Sequence, residues 1–467
     1  MNIVGPSYTL ANRKASVQRS VNMCLQRLEA SEKAQAILQS VPGLIQRASV
    51  SGMYRGGIET NTRAFAVFGT ILYEVSSAGA LTARGTLGSS TGVVSMAYGI
   101  SQVVIVDGSR GYVLTLATNV FVQITDPDFP GANTVQFVDN YFTFSKDRSG
   151  QQFQISAIND ATNLNALDFA SAESSPDDLV GHLVVQAGIL LFGTLTTELW
   201  VNTGTADFPF ERSRGSGFRV GLVACNSLIR IDNGCAWLGR DESGSGIVYR
   251  LRGGQPQRIS TAAVEQALQA STDLSQARAW TYQDKGLTFY GLNAPGLTST
   301  WVYEVSTSQW HERCDLDSVG QLAAGRVIGS LFAFRKLFCG DANGFLYQWD
   351  ANTHTNNGSA LVRERTTPHD ALPGLTRKFF SQFYLDATTG QALPGQNPQV
   401  ELSWSDDSGS NYGDPELRSL GRTGVVIERI LWTRLGVARD RVWRVRFTGN
   451  APFSIISGSA AATQGKN

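Results

Sequence analysis

The chain has 467 residues, of which 42% are hydrophobic and 17% charged, so it is long enough for several domains and can bury a sizeable core. This composition excludes global disorder. Lys and Arg together number 39, as do Asp and Glu, and a net charge of zero excludes a generally basic nucleic-acid-binding protein, so that any DNA contact should be local or loose.

The cysteines and the apolar runs exclude further classes of protein. The five cysteines are odd in number, widely spaced and without a CxxC pair, which argues against a disulfide scaffold and a thiolate zinc site. We expect most of them to be buried in a chain that folds under reducing conditions. The first twenty residues lack the apolar core of a secretory signal, and no apolar run is long enough for membrane insertion.

The first fifty residues contain one helix-like segment. Gln26–Ser40 is rich in Ala, Leu, Glu and Gln, which predicts a helix. The sequence VPGL at 41–44 should end it, because Pro42 restricts the residue before it and Gly43 frees the turn. We treat 1–50 as an N-terminal arm.

From residue 51 to residue 358 the sequence repeats one pattern. Short runs of β-branched and aromatic residues recur, each broken by Gly, Asn, Asp or Ser before a second apolar run. Seven such units begin at 65, 103, 141, 189, 235, 287 and 331. A four-stranded propeller blade needs about 40 to 50 residues, and blades around an axis cover each other's faces. The repeat predicts an all-β chain with a β-propeller of about seven blades.

Two segments interrupt this repeat. Residues 158–181 are polar and acidic, and they predict a long loop between strands. Residues 260–271, STAAVEQALQAS, predict a short helix with Ser260 or Thr261 as its N-cap.

The repeat fades after a polar linker at 354–359, and a second β-rich domain is predicted over 359–467. Its five strand-like runs are FFSQFYLDA (379–387), VELSW (400–404), VVIERILWTRLG (425–436), RVWRVRFTG (441–449) and PFSIISG (452–458). Runs of this length with turns between them predict a β-sandwich or a barrel-like domain.

The segment SDDSGSNY at 405–412 raises the question of a site, because it pairs two carboxylates. Its spacing, S-x-D-x-G-x-x-aromatic, resembles the Asp-box hairpin turn and assigns the turn to Ser405, Asp407, Gly409 and Tyr412. An Asp in a turn accepts backbone N–H bonds, and Gly tolerates positive φ. We favour a structural turn; a catalytic or metal-binding role for Asp406 and Asp407 is the alternative.

Other candidate motifs do not predict chemistry. GDANGFLYQWD at 340–350 has a D-x-N-G turn but lacks the remaining ligands of a calcium loop. The four histidines are too far apart in sequence for a local zinc pair, and no Ser/His/Asp or Cys/His arrangement is evident. We therefore expect no catalytic residues, no metal, no cofactor and no enzymatic activity.

One basic cluster stands out near the C-terminus. Its candidate residues for a partner-facing or DNA-facing surface are Arg434, Arg439, Arg441, Arg444 and Arg446. Arg434, Arg439 and Arg441 flank a turn, while Arg444 and Arg446 alternate with Trp443 and Val445, which would place the arginines on one face and the apolar residues on the other. That face is either simply solvated or a contact for an acidic partner subunit or DNA phosphate.

Several motifs occur in a characteristic order along nearly the whole chain. They are VNMCLQ (21–26), SVPGL (40–44), VSMAYG (94–99), TTELWVNTG (196–204), FPF (208–210), WLGRDESGSGIVYRLRGGQPQRIST (237–261), LSWSDDSGSNYG (402–413) and ILWTRLGVARDRVWRVRFTGNAPFSI (430–455). In this order and spacing they resemble the packaged-DNA stabilisation proteins, the tail nozzle or tail hub proteins of short-tailed podovirus phages.

The resemblance implies a structural role in the virion. It implies a propeller joined to a β-rich C-terminal domain, and an extended N-terminal region where composition alone predicts a helix. It also implies a homo-oligomeric ring of six copies below the portal and its adaptor ring, assembled in the host cytoplasm, which lengthens the exit channel for double-stranded DNA and helps retain packaged DNA. A tail needle or plug and tailspikes or fibres would dock nearby. The family has no catalytic residues to transfer.

Two alternatives belong to other functional classes. A carbohydrate-binding propeller, acting as a receptor-recognition module of the virion, would use exposed aromatic residues such as Trp301, Trp310 and Trp349 as sugar platforms. A glycosidase of the sialidase type would need several Asp-boxes and an arginine cluster on the propeller face.

Overall fold

The computed structural model describes residues 3–29, 32–146, 150–172, 176–186, 188–205, 208–241 and 244–465. Within these ranges the strands pair into eight sheets, and helices are few and short. The chain is all-β, as predicted.

The N-terminal residues form strands that belong to several sheets. They are β1 (Tyr8–Thr9), β2 (Val17–Val21), β3 (Met23–Arg27), β4 (Ala36–Ser40) and β5 (Gly43–Ser49).

The prediction of a helix over Gln26–Ser40 is wrong. β3 and β4 pair antiparallel with Met23 opposite Ser40, and β4 pairs on its other side with a strand near the C-terminus, Leu38 opposite Ile455. Residues 30 and 31 lie outside the described part of the chain. The other residues between the two strands form an irregular connection with bends. The composition favours a helix, but pairing with distant strands overrides it. Intrinsic helix propensity is small compared with the stabilisation from burying Leu38 in the sheet.

Seven sheets follow one another between residues 54 and 350. The first four blades are β6 (Tyr54–Glu59), β7 (Ala64–Phe68), β8 (Ile71–Val75), β9 (Leu81–Thr86); β10 (Ser95–Tyr98), β11 (Gln102–Val106), β12 (Gly111–Thr115), β13 (Val120–Gln123); β14 (Thr134–Val138), β15 (Tyr141–Ser145), β16 (Gln152–Ala157), β17 (Asp160–Ser171); and β18 (Leu179–Val185), β19 (Gly188–Gly193), β20 (Thr197–Asn202), β21 (Phe210–Arg212). The last three are β22 (Gly221–Leu222), β23 (Ile229–Ile231), β24 (Gly234–Asp241), β25 (Gly244–Arg252), β26 (Gln255–Arg258); β27 (Arg278–Asp284), β28 (Leu287–Asn293), β29 (Thr300–Glu304), β30 (Gln309–Leu316), with β31 (Leu322–Ala324); and β32 (Val327–Ala333), β33 (Lys336–Asp341), β34 (Phe345–Asp350).

The seven sheets form a closed β-propeller. One strand of each blade contacts its counterpart in the next, in the order β6, β10, β14, β18, β23, β27 and β32, and β32 contacts β6 again. The seventh blade takes its fourth strand from the N-terminal arm, because β5 pairs with β34 and places Leu44 opposite Trp349. The short strands β35 and β36, at 355–356 and 359–360, extend the same sheet beyond β5. Residues far apart in sequence therefore close the ring.

Packing between blades explains the continuous apolar runs of the repeat. Phe65 and Val67 pack toward the second blade, whereas Ala66 and Phe68 on the same strand pack toward the seventh. Each pair of adjacent blades shares one such buried cluster. A strand that is buried on both faces must be apolar at every position rather than at alternate ones.

The two interruptions of the repeat have different outcomes. The prediction of a loop over 158–181 is wrong for most of that segment, because β17 and the start of β18 lie in it. Residues 173–175 are outside the described part. β17 holds polar residues because it is an outermost strand with one exposed side. The helix predicted at 260–271 is present as α1 (Ala262–Gln269), with Thr261 at the N-cap position. Short 3-10 helices lie at Cys225–Ser227, Leu274–Gln276 and Pro373–Leu375.

The C-terminal residues complete a β-sandwich with the help of the N-terminal strands. The remaining strands are β35 (Thr355–Asn356), β36 (Ser359–Ala360), β37 (Arg363–Thr366), β38 (Lys378–Ala387), β39 (Gln399–Ser405), β40 (Glu416–Ser419), β41 (Ile430–Thr433), β42 (Val437–Ala438), β43 (Val442–Phe447) and β44 (Ser454–Gln464). One sheet has the order β3-β4-β44-β38-β41, and the facing layer has the order β2-β37-β43-β39-β40. Phe383, Trp432 and Trp443 lie in the core between them.

One sheet runs without interruption from the propeller into the sandwich. β2 pairs parallel with β30, the outermost strand of the sixth blade, and antiparallel with β37 of the sandwich. The resulting sheet has eleven strands. The propeller and the sandwich are therefore joined by backbone hydrogen bonds as well as by a linker.

Candidate functional site

The basic cluster predicted near the C-terminus is not one surface. Arg441 is only 2% exposed, and its Nε and Nη2 donate to the two carboxylate oxygens of Asp406 at 2.6 and 2.7 Å. Its Nη1 also donates to the carbonyl of Leu435, and its guanidinium lies over the rings of Phe380 and Trp443. The prediction that Arg441 faces a partner or DNA is therefore wrong, because Arg441 lies two positions before Trp443 and so points to the same, buried side of the strand.

The other four arginines have separate environments. Arg444 donates to the hydroxyl of Ser403 at 3.0 Å and lies 3.9 Å above the centroid of the Tyr412 ring. Arg446 is 3.6 Å from a carboxylate oxygen of Glu364. Arg434 and Arg439 are exposed on turns of the sandwich.

Asp407 lies in a tight turn and does not converge with Asp406. One carboxylate oxygen, Oδ1, accepts from the hydroxyl of Ser405 at 2.5 Å and from the backbone N–H groups of Ser410 and Asn411 at 3.1 and 2.9 Å. These hydrogen bonds hold the pKa of Asp407 far below its usual range. Gly409 has φ 75°, a conformation that favours glycine. The geometry is that of a hydrogen-bonded turn, which we continue to propose as its role.

A ladder of charged residues crosses the junction between the two domains. Arg19 on β2 donates from Nη2 to Glu312 on β30 at 2.6 Å, and its Nη1 is 3.9 Å from Glu364 on β37. Arg446 on β43 continues the ladder from the other side of Glu364. Burial opposes ionisation of Glu312, but the charge of Arg19 and the hydrogen bonds from Arg19, Ser299 and Ser7 together outweigh it and lower the pKa of Glu312. Four consecutive strands are thus linked by side chains of alternating charge.

Two further arginines of β37 are buried without a carboxylate among their hydrogen-bond partners in the described chain. Arg365 donates to the carbonyls of Ile3 and Pro6, and Arg363 donates to the carbonyls of Gly449 and Ala451. Burial lowers the pKa of Arg363 to about 10 and that of Arg365 to about 9, so both remain cationic at neutral pH. They fix the N-terminal residues and the connection between β43 and β44 to β37. Sequence reasoning missed them, because RERT has no apolar residue to signal burial.

The residues that could have carried chemistry are used structurally. His182 is buried, with Thr134 Oγ1 2.7 Å from Nδ1 and Thr143 Oγ1 2.8 Å from Nε2, and burial lowers its pKa to about 4. Asp341 in the D-x-N-G turn accepts the backbone N–H groups of Asn343 and Phe345, each at 2.9 Å. Over the described ranges, no three His, Cys, Asp or Glu residues are placed to hold a metal ion.

The aromatic residues considered as sugar platforms are buried. Trp301, Trp310 and Trp349 all lie in the packing between blades. The carbohydrate-binding alternative would need these side chains exposed on blade loops, whereas each lies on a strand and packs between two blades.

The sandwich exposes two apolar features that sequence reasoning missed. The first is the tip Val425–Val426–Ile427; it was predicted within a strand over 425–436, but the strand begins only at Ile430. The second is a shallow concavity of about 500 Å³ that Phe379 and Val437 line. Three consecutive β-branched residues directly after Gly424 were the available signal for the tip, since a half-buried strand would alternate.

None of the helices in the described part of the chain is long and apolar enough to cross a membrane. The solved structures that are similar to this chain include two distant ones. The extracellular domain of BT4673 from B. thetaiotaomicron is 10% identical with a TM-score of 0.44, over 66% of this chain and 39% of that chain. PorZ of Porphyromonas gingivalis is 14% identical with a TM-score of 0.40, over 80% of this chain and 46% of that chain. The chain thus spans less than half the length of each.

Comparison with known sequences gives a match over most of the chain. The tail hub protein gp10 of Salmonella phage P22 is 22% identical over 438 residues, which are 90% of this chain and 89% of the phage P22 protein. A family model described as the β-propeller of bacteriophage P22 Gp10 matches residues 14–354, and one described as its β-sandwich matches residues 374–463. The chain belongs to the bacteriophage P22 Gp10 family.

Proposed function

We propose that this chain is a structural subunit of a phage tail and not an enzyme. The observation that carries the proposal is the relationship to the tail hub protein of phage P22, which covers 90% of this chain and 89% of that protein. The propeller and sandwich families match in the same chain, one after the other. The buried histidine, the turn aspartates and the ion-paired carboxylates are all engaged in holding the fold, which supports a role without catalysis.

In the finer form of the proposal, six copies form a ring below the portal and its adaptor ring. The ring extends the channel through which double-stranded DNA leaves and helps to retain packaged DNA. A needle or plug and tailspikes or fibres dock on the assembled tail of the virion, which is put together in the host cytoplasm.

Two physical features support this finer form. The closed propeller and the eleven-stranded sheet across the junction give a rigid subunit that can transmit load between neighbours. The formal net charge of zero means that the chain as a whole does not attract DNA phosphates, and weak phosphate contact allows DNA to pass.

Electron microscopy of particles from the source, with gold-labelled antibody to this chain, tests the proposal. Label clustered at the tail below one vertex is the expected result. Absence of label, or label confined to fibre tips, would overturn the tail-ring assignment. Particles that lack the chain should also lose packaged DNA, measured as nuclease-sensitive DNA, and full retention would overturn the role in DNA retention.

A further inference from the structure

We propose that neighbouring copies of this chain bind each other through the sandwich: the apolar tip Val425–Ile427 of one copy enters the concavity at Phe379 and Val437 of the next. The inference rests on the proposed ring, and it names the surfaces that would form it.

The tip is apolar, exposed and held in place. Val426 is 67% and Ile427 is 93% exposed. The loop is fixed to the segment after β38, since Gly424 N–H donates to the carbonyl of Gly390 at 3.0 Å and Thr389 donates to the carbonyl of Val426 at 2.7 Å. A loop that is already ordered loses little conformational freedom when it binds.

The concavity offers an apolar surface of matching size. Phe379 on β38 and Val437 on β42 are register partners, and they are 51% and 46% exposed. Thr463, opposite Phe379 on β44, and Gly436 continue the lining, and neither brings a charge. Its volume of about 500 Å³ is ample for two or three aliphatic side chains.

The tip and the concavity of one copy cannot meet. β38 runs from the concavity, at Phe379, to the segment that holds the tip, and its ten residues span roughly 30 Å. β41 pairs antiparallel beside it, with Ile430 near the tip and Thr433 near the concavity. A contact between two different surfaces at opposite ends of a domain is heterologous, which is the type of contact that forms a ring when the rotation between successive copies closes.

The charges at the two surfaces permit one specific pair. Glu428 directly follows the tip, and Arg434 is the charged residue that lines the concavity. The tip loop also carries Arg422 and Arg429, so the contact is favourable only in an orientation that brings Glu428 to Arg434. The occupant is therefore the tip of a second copy, held in one orientation by an ion pair at the edge of an apolar contact.

Disulfide cross-linking in assembled particles tests the contact. In the double variant Ile427→Cys/Val437→Cys, the two positions of one chain are too far apart to join, because a disulfide needs Cα atoms within about 7 Å. Oxidised particles should give a ladder of covalent multimers that a reductant abolishes. The parent chain and each single variant serve as controls for its five natural cysteines and for tip-to-tip dimers, and they should not give the ladder.

The outcomes separate this inference from the proposed function. If the double variant is present in the tail but forms no ladder, the contact is overturned while the tail assignment stands. If the parent chain is absent from the tail by gold labelling, the proposed function fails and the contact fails with it.

A second set of variants tests the same contact between tip and concavity if the cysteine variant does not enter particles. Glu428→Arg should lower incorporation into tails by about tenfold, and adding Arg434→Glu to the same chain should restore it. Ile427→Asp should have a similar effect, whereas Leu417→Asp, an equally drastic change at an exposed apolar residue of β40, should not. No rescue by the charge swap, or equal losses for Ile427→Asp and Leu417→Asp, would overturn the proposal.

Discussion

Asp406 and Arg441 form a bidentate ion pair, with donor–acceptor distances of 2.6 and 2.7 Å, at the edge of the sandwich core. The guanidinium is buried among Phe380, Trp404 and Trp443, whereas the Asp406 carboxylate is partly exposed. The two adjacent aspartates at 406 and 407 therefore have unrelated partners: one neutralises a buried cation and the other holds a turn.

The first prediction concerns Arg441→Ala. The substitution removes the packing of the guanidinium and leaves the carbonyl of Leu435 without its donor, so we expect a loss of roughly 3 kcal/mol in the free energy of unfolding. Equilibrium urea unfolding measures it. Arg439→Ala, two residues away and exposed, is the matched control and should change stability by less than about 0.5 kcal/mol. Equal effects of the two substitutions would show that Arg441 is not buried.

The second prediction concerns the turn at Asp407. Asp407→Asn should lower the melting temperature at neutral pH, because an amide oxygen accepts the N–H groups of Ser410 and Asn411 less strongly than a carboxylate. The folded-state pKa of Asp407 lies below its ordinary value, so its stabilisation is present above about pH 4 and is lost as the pH falls. The difference in melting temperature between the two proteins should therefore narrow on acidification, and a constant difference would contradict this explanation.

The propeller could be predicted from sequence because its physical cause is local and repeated. Each blade must bury both faces, so runs such as FAVF and VVIV recur at blade spacing. The closure of the ring could not be predicted, since β5 pairs with β34 about three hundred residues away and nothing within Gly43–Ser49 identifies its partner. The prediction of an N-terminal helix failed for the same reason: β4 pairs with β44, which is distant in sequence.

The candidate site was less predictable than the fold. Alternation correctly suggests that Trp443 and Val445 face the core and that Arg444 and Arg446 do not. Arg441 lies two positions before Trp443, so the same alternation places it on the buried side, and grouping it with Arg444 and Arg446 was the error. That Asp406 neutralises the buried Arg441 is evident only from the structure, because the two residues are far apart in sequence.

The third prediction concerns acid stability and His182. Its folded-state pKa of about 4 is below the ordinary value of 6.5, so the unfolded chain binds a proton first as the pH falls. Stability should then decline between pH 6.5 and 4 by roughly 1.4 kcal/mol per pH unit from this residue. His182→Asn should be less stable at pH 7 and should show a shallower decline in urea unfolding over that window. Equal slopes for the two proteins would contradict the buried, neutral state of His182.

The fourth prediction concerns closure of the propeller by β5. Leu44 is buried opposite Trp349, so Leu44→Ala should cost about 3 kcal/mol and should speed amide hydrogen exchange in β33 and β34, which lose a well-packed neighbour. Ser49→Ala, on the same strand but exposed, is the control and should leave both measurements unchanged. If the N-terminal residues only lay against a propeller that closes without them, Leu44→Ala would affect exchange in β5 alone. Faster exchange in β33 and β34 as well would instead show that β5 holds the blade together.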